Sequence, residues 1–206
     1  MKRTLLLTAG ALSAILLAGS VYADPPDQPG HTSPAPGTTN DTMSGVKDSA
    51  RHVEGTISAE VTTSLKGFAE AAAQSDMYEV EAGKIAEQRS SNAKVKAFAA
   101  KMVAAHTATT AKLKALLADG HPDIVPPAHL DDRHQGLIDE LRGAKDADFD
   151  GRYLAQQVDA HKEALILMHG YAKDGDVASV KRFASKTAPV VQTHLNMAQH
   201  LRDAGV

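Results

Sequence analysis

Beyond residue 58 the apolar residues recur three and four apart, the spacing of helices that bury one face. No proline interrupts residues 38–121 or 128–188, so both windows can hold long helices. The first helix is predicted over about 59–89 with Ser58 as N-cap, and shows Met77, Tyr78, Ile85 and many alanines on one face. The second, about 92–118, follows a cap at Ser91 or Asn92 and carries Val95, Phe98, Met102, Leu113 and Leu116. It stops at Gly120, with Pro122 beyond. A connection holding Pro122, Pro126 and Pro127 leads to a short amphipathic helix over about 129–142, with Leu130, Leu137, Ile138 and Leu141. The fourth, about 146–172, opens on Asp146 or Asp148 as cap and presents Leu154, Val158, Leu165 and Met168. The fifth, about 177–203, presents Val180, Phe183, Thr187, Val190, Met197 and Leu201, and Pro189 is expected to bend it.

A short motif occurs twice. Val95-Lys96-Ala97-Phe98-Ala99-Ala100-Lys101 matches Val180-Lys181-Arg182-Phe183-Ala184-Ser185-Lys186 at V, K, F, A and K, which suggests one helical hairpin used twice. Two long hairpins joined by a long crossover with a short extra helix describe an all-α, ferritin-like four-helix bundle over 58–206. A bundle with only short loops fits less well.

The chain before residue 58 reads differently. Lys2 and Arg3 precede an apolar run over 5–18, and Val21-Tyr22-Ala23 has the small and branched residues of a signal-peptidase site, so residues 1–23 are expected to be removed after Ala23. That run is shorter than the roughly 20 residues needed to cross a bilayer. From 24 to 45, Pro, Gly, Ser and Thr fill 14 of 22 positions, and only Ala35 and Met43 are apolar. Such a stretch cannot bury enough surface to fold. Val46, Ala50, Val53 and Ile57 then return to helical spacing over too few turns to be stable alone, which makes 24–57 a flexible leader with a marginal helix.

Composition narrows the chemistry. The 206 residues contain no Cys, so a disulfide scaffold, thiolate zinc, iron–sulfur clusters and a Cys nucleophile are excluded. The lack of Cys also suits an oxidising compartment, and the expected location is periplasmic or secreted. A net charge of -3 supplies no basic face for nucleic acid. HExxH, phosphate-loop, Gly-x-Ser-x-Gly and EF-hand patterns are all absent.

Polar residues inside the apolar stripes carry what signal remains. His106 follows Met102 by four, His161 lies between Val158 and Leu165, His194 follows Val190 by four, and Glu81 lies between Tyr78 and Ile85. Each long helix thereby points one ionisable group inward, and three imidazoles with a carboxylate suit a single transition metal such as Zn, Fe, Cu or Mn. Glu79 points about 160° around the helix from Glu81, so only one of the two can face the core. Counted from the shared motif, His106 is 11 residues along and His194 is 14, an offset of one turn or about 4.5 Å that side chains can span. His134, between Leu130 and Leu137, also faces inward, where it either supports the ligands from behind or caps the bundle end. His52, His121, His129, His169 and His200 fall off the stripes and read as solvated. Asp150 and Tyr153 open the fourth helix, where helix dipole and core packing account for them.

These residues resemble a bacterial exported family, domain of unknown function 4142. The resemblance rests on Tyr78-Glu79-Val80-Glu81-Ala82-Gly83-Lys84-Ile85-Ala86, on the run from Val95 to His106, on Phe149-Asp150-x-x-Tyr153 with His161 after it, and on Thr193-His194-Leu195-x-Met197-Ala198. It covers about residues 60–202 and implies a ferritin-like fold, with Glu81, His106, His161 and His194 as candidate ligands. It implies no reaction, since the family has none established. The family often has Asp before the second-helix histidine, where this chain has Ala105. Di-iron bundles place a Glu three residues before a ligand histidine to bridge the metals. Here those positions are Val103, Val158 and Val191, which argues against a ferroxidase. The expectation is a binding protein, not an enzyme. A partner-binding or structural envelope protein is the alternative, and a redox enzyme on the same ligands ranks below both.

Overall fold

The computed structural model describes residues 62–206. It contains α1 (Leu65–Arg89), α2 (Ala93–Gly120), α3 (Asp132–Gly143), α4 (Asp146–Asp174) and α5 (Ala178–Asp203), with no strand among the described residues. The signal segment, the leader and the marginal helix expected over 46–57 lie outside the described residues. None of the described helices is long and apolar enough to cross a membrane.

Local chemistry moves several boundaries from their expected places. The N-cap of α1 is Ser64, not Ser58: its hydroxyl accepts from the Gly67 N–H at 3.2 Å. Asn92 caps α2 by accepting from Lys94, and Asp131 caps α3 by accepting from His134, so α3 starts at Asp132. Neither Asp146 nor Asp148 caps α4. Lys145 occupies that position without a side-chain bond, and both aspartates lie in the first turn, where the helix dipole favours carboxylates. The last helix continues through Pro189.

Helix α1 packs mainly on α2 and α4 mainly on α5, the two hairpins meet through α1–α4 and α2–α5, and α3 lies against α1 and α4. The result is an all-α bundle of two hairpins joined by a crossover that carries the short helix. Gly83 permits the close approach of α1 to α2, because a Cβ there would stand 2.7 Å from Val103 Cγ2 and 3.1 Å from the Ala99 carbonyl oxygen. Arg89 fastens the crossover. Its guanidinium donates to the carbonyls of Leu141, Arg142 and Ala144, satisfying carbonyls that the end of α3 would leave without a partner.

The apolar interior is in two parts. One cluster contains Tyr78, Val95, Phe98, Met102, Ile138, Leu141, Phe149, Tyr153, Leu154 and Val158. The other contains Leu65, Phe68, Leu113, Leu117, Leu167, Met168, Tyr171, Val180 and Phe183. Where the two clusters give way to each other along the four long helices lie the buried polar residues Asp76, His106, His161 and His194, with Glu79 one turn from Asp76. A buried Phe contributes roughly 1.5–3 kcal/mol. An unpaired buried polar atom costs about 1–3 kcal/mol, so this layer offsets gains of the same size and needs a physical reason.

Candidate metal centre

Three helices supply one imidazole each. His106 comes from α2, His161 from α4 and His194 from α5, and all three are buried. Ring centroids are 5.6 Å apart for His106–His161, 5.8 Å for His106–His194 and 5.6 Å for His161–His194. One ring nitrogen from each lies within 4.8 Å of those of the other two. Each side chain reaches this place because its helix buries the same stripe that carries the flanking apolar residues, such as Met102 before His106 and Leu195 after His194.

Neighbouring groups set the ring tautomers. Nδ1 of His106 is 2.7 Å from Asp76 Oδ1, and since a carboxylate accepts, Nδ1 carries the proton and donates. The second Asp76 oxygen accepts from the Thr110 hydroxyl at 2.9 Å. Nδ1 of His161 donates to the Gln157 carbonyl oxygen at 2.8 Å. In the neutral form both rings therefore have their lone pair on Nε2, and neither Nε2 has a hydrogen-bond partner, nor does Nδ1 of His194.

Electrostatics keep two of the three rings neutral. Burial, reinforced by the neighbouring His106, lowers His161 to about 3 and His194 to about 4. Burial also opposes charge on His106, but the hydrogen bond to Asp76 and the nearby Glu79 carboxylate outweigh it and raise its pKa. Glu79 is itself buried, and burial pushes its carboxyl up to about 7. Its Oε1 lies 3.6 Å from His161 Nδ1, on the edge of the ring away from the free lone pair.

A family model described as domain of unknown function (DUF4142) matches residues 52–201. The chain belongs to the DUF4142 family. No curated protein and no solved structure matches it.

Of the residues singled out from the sequence of this DUF4142 chain, the structure brings His106, His161 and His194 together and leaves two outside. Glu81 is a correction: it lies partly exposed on the surface in an ion pair with Arg142 at 2.5 Å, and Glu79 is the carboxylate that faces the core. The reason is the true buried stripe of α1. Apart from Leu65, Phe68 and Tyr78 it consists of Ala69, Ala72, Ala73, Ala82, Gly83 and Ala86, small residues that let α2 come close, with Asp76 and Glu79 set among them, and it does not run through Met77, Glu81 and Ile85. Asp76 was not singled out at all. The signal that would have found both carboxylates is their place at helical spacing within that run of small residues.

His134 is buried but stands apart from the three histidines. Its Nδ1 donates to Asp131 at 2.8 Å, and its ring lies 5.8 Å from that of Tyr78. It borders the larger cavity, about 770 Å³ between α1, the crossover and α4, which none of the three clustered histidines lines. His129, His169 and His200 are exposed and His121 is partly so, while His52 lies outside the described residues. Tyr153 is packed against Phe98 and Phe149 with its hydroxyl unpaired.

A di-iron centre does not fit this DUF4142 chain. Bridging two irons needs carboxylates from several helices. The two buried beside the histidines, Asp76 and Glu79, both come from α1, and Val103, Val158 and Val191 stand where Glu would be needed.

Proposed function

We propose that this chain is an exported, ferritin-like bundle protein that binds one transition-metal ion through His106, His161 and His194. It buffers metal or acts in envelope stress, and it is a binding protein rather than an enzyme. The observation that carries the reading is the pairing of buried, unpartnered ring nitrogens with fixed tautomers: His106 donates its other N–H to a carboxylate and His161 to a backbone carbonyl. Metal-ligating histidines are held in this way, because the second bond orients the ring and raises its basicity. Three imidazoles without thiolates suit Zn, Cu or Fe, with bond lengths of about 2.0–2.1 Å for zinc, which a modest closing of the 4.8 Å spread provides. Export is supported by Lys2, Arg3, the apolar run over 5–18 and the Ala23 site.

The test is metal content by mass spectrometry on protein purified from the periplasm without an affinity tag, beside His106→Ala and His194→Ala. Near-stoichiometric metal, lost in both variants, is the expected result. Protein that contains no metal and takes up none on titration would overturn the site, leaving the histidines as packing groups in a partner-binding bundle.

A further inference from the structure

Three histidines leave a four-coordinate metal one ligand short, and two places in the chain stand near enough to supply a fourth. Glu79 is the obvious donor by chemistry, but its oxygen stands beside Nδ1 of His161, while the lone pair of that ring is on Nε2. The second place is a small void of about 20 Å³ bordered by His106, His194 and Asp76, with Ala105 and Thr109 of α2 and Thr187 and Val190 of α5 also in its wall. A water needs roughly 10–15 Å³ of such volume, so there is room for about one. Neither Glu79 nor His161 borders it.

The walls of the void offer no imidazole beyond His106 and His194 and no carboxylate beyond Asp76, and the remaining side-chain oxygens, on Ser75, Thr109 and Thr187, are neutral hydroxyls that bind transition metals poorly. The Thr109 hydroxyl donates to the Ala105 carbonyl and the Thr187 hydroxyl to the Phe183 carbonyl, each one turn back in its own helix. Both oxygens of Asp76 already accept, from His106 and from Thr110. Toward the outside the void meets Val190, whose 49% exposure is unusual for a large apolar residue of this chain. The wall residues Ala105 and Thr109 of α2 and Thr187 and Val190 of α5 are all partly or largely exposed, which puts the solvent side of the void between these two helices, while buried Ala72 of α1 and Ala164 and Met168 of α4 close it on the inside.

We infer that a metal held by His106, His161 and His194 keeps its fourth coordination position toward this void, where it takes an exchangeable water or a small anion arriving between α2 and α5. The inference rests on the metal reading above. It makes the site one with three protein ligands and an open position, unlike the closed four-ligand sites that only hold a fold together. The size of the void limits the ligand to a few atoms.

The experiment uses the full mature chain loaded with Co²⁺, whose visible absorption reports coordination, titrated with azide. Saturable azide-dependent change in the band is expected. Ala105→Leu fills the void from a partly exposed position, and should keep the Co²⁺ stoichiometry while losing the azide response. Val190→Phe, at the exposed mouth, should slow the response and leave Co²⁺ affinity unchanged. A Co²⁺ band that azide does not alter overturns the open position while leaving the three-histidine site standing. An Ala105→Leu protein that answers azide like the parent overturns its placement in this void. Failure of the parent to take up Co²⁺ is a different result and removes the metal reading itself.

Discussion

Two buried histidines in this chain each donate Nδ1 to an aspartate, at 2.7 Å for His106–Asp76 and 2.8 Å for His134–Asp131, yet the two pairs do different things. Asp131 is three residues before His134, caps α3 by accepting from its backbone N–H as well, and remains 44% exposed. The Nε2 of that ring has Arg133 beside it at 3.0 Å. Asp76 lies on another helix from His106, is almost wholly buried, and leaves Nε2 of His106 without a partner next to two more imidazoles. A His–Asp pair is thus no mark of a site by itself. What distinguishes the two is where the second nitrogen ends and whether other ligands meet it there.

Deleting each ring separates the two pairs most strongly. His106→Ala should weaken Co²⁺ or Zn²⁺ binding by more than about 100-fold, beyond the usual cost of losing a supporting group. His134→Ala should leave metal affinity unchanged in isothermal titration. Equal losses in both variants would mean that the two regions are not distinct.

Replacing the carboxylates separates the pairs next. Asp76→Asn keeps the shape but loses the anion that orients His106, and should weaken metal binding by about 10–100-fold. Asp131→Ala should cost about 1 kcal/mol of stability as a lost N-cap, read in urea unfolding, with no effect on metal affinity. A metal defect in Asp131→Ala would contradict the assignment.

Acid gives the smallest and most selective difference. His161 and His194, lowered from 6.5 to about 3 and about 4, stay neutral in the fold while the unfolded chain takes up protons. Their contribution is full above pH 6.5 and is lost as pH falls toward these values. Glu79, raised from 4.5 to about 7, acts with the opposite sign: its contribution is present below 4.5 and lost as pH rises through 7. His106, also raised, shares that sign above 6.5. Between pH 6.5 and 4.5 two histidines act against one carboxyl, so the metal-free protein should lose stability on acidification, and Glu79→Gln should steepen the loss. The crossover pair responds elsewhere. Against the cost of burial, hydrogen bonds from His134 hold Asp131 at about 2, and its contribution is lost only as pH drops below 3.8. Urea midpoints of the metal-free protein at pH 7, 6 and 5 test this, and a midpoint that rises toward pH 5 would contradict it.

Periodicity made much of this molecule legible. Five helices, their order and the pairing into two hairpins follow from apolar spacing, glycine and proline stops and one repeated motif, because these are local properties of the chain. The inward direction of His106 and His161 was legible for the same reason, since Met102 and Val158 one turn back are fully buried; His194 was placed by Val190, which is 49% exposed, and its buried neighbours are Val191 and Leu195. On α1 that logic failed. Its large residues Met77, Tyr78 and Ile85 drew attention, but the helix turns its alanines to α2 and sends Tyr78 toward α4, where its hydroxyl donates to Gln156 at 3.0 Å. A face chosen by small size for close approach carries almost no hydrophobic contrast, so Glu81 was read as inward in place of Glu79, and Asp76 went unseen.

The sequence by itself determined the helices, the two-hairpin order and three histidines on buried faces, since each depends on spacing within one segment. Only the tertiary structure decided that the three rings meet, that Asp76 settles the tautomer of His106 and Gln157 that of His161, that Glu79 stands behind His161, and that His134 belongs to the crossover. Those facts depend on the depth and rotation of one helix against another, which are set by side-chain packing between segments and leave no periodic trace in any one of them.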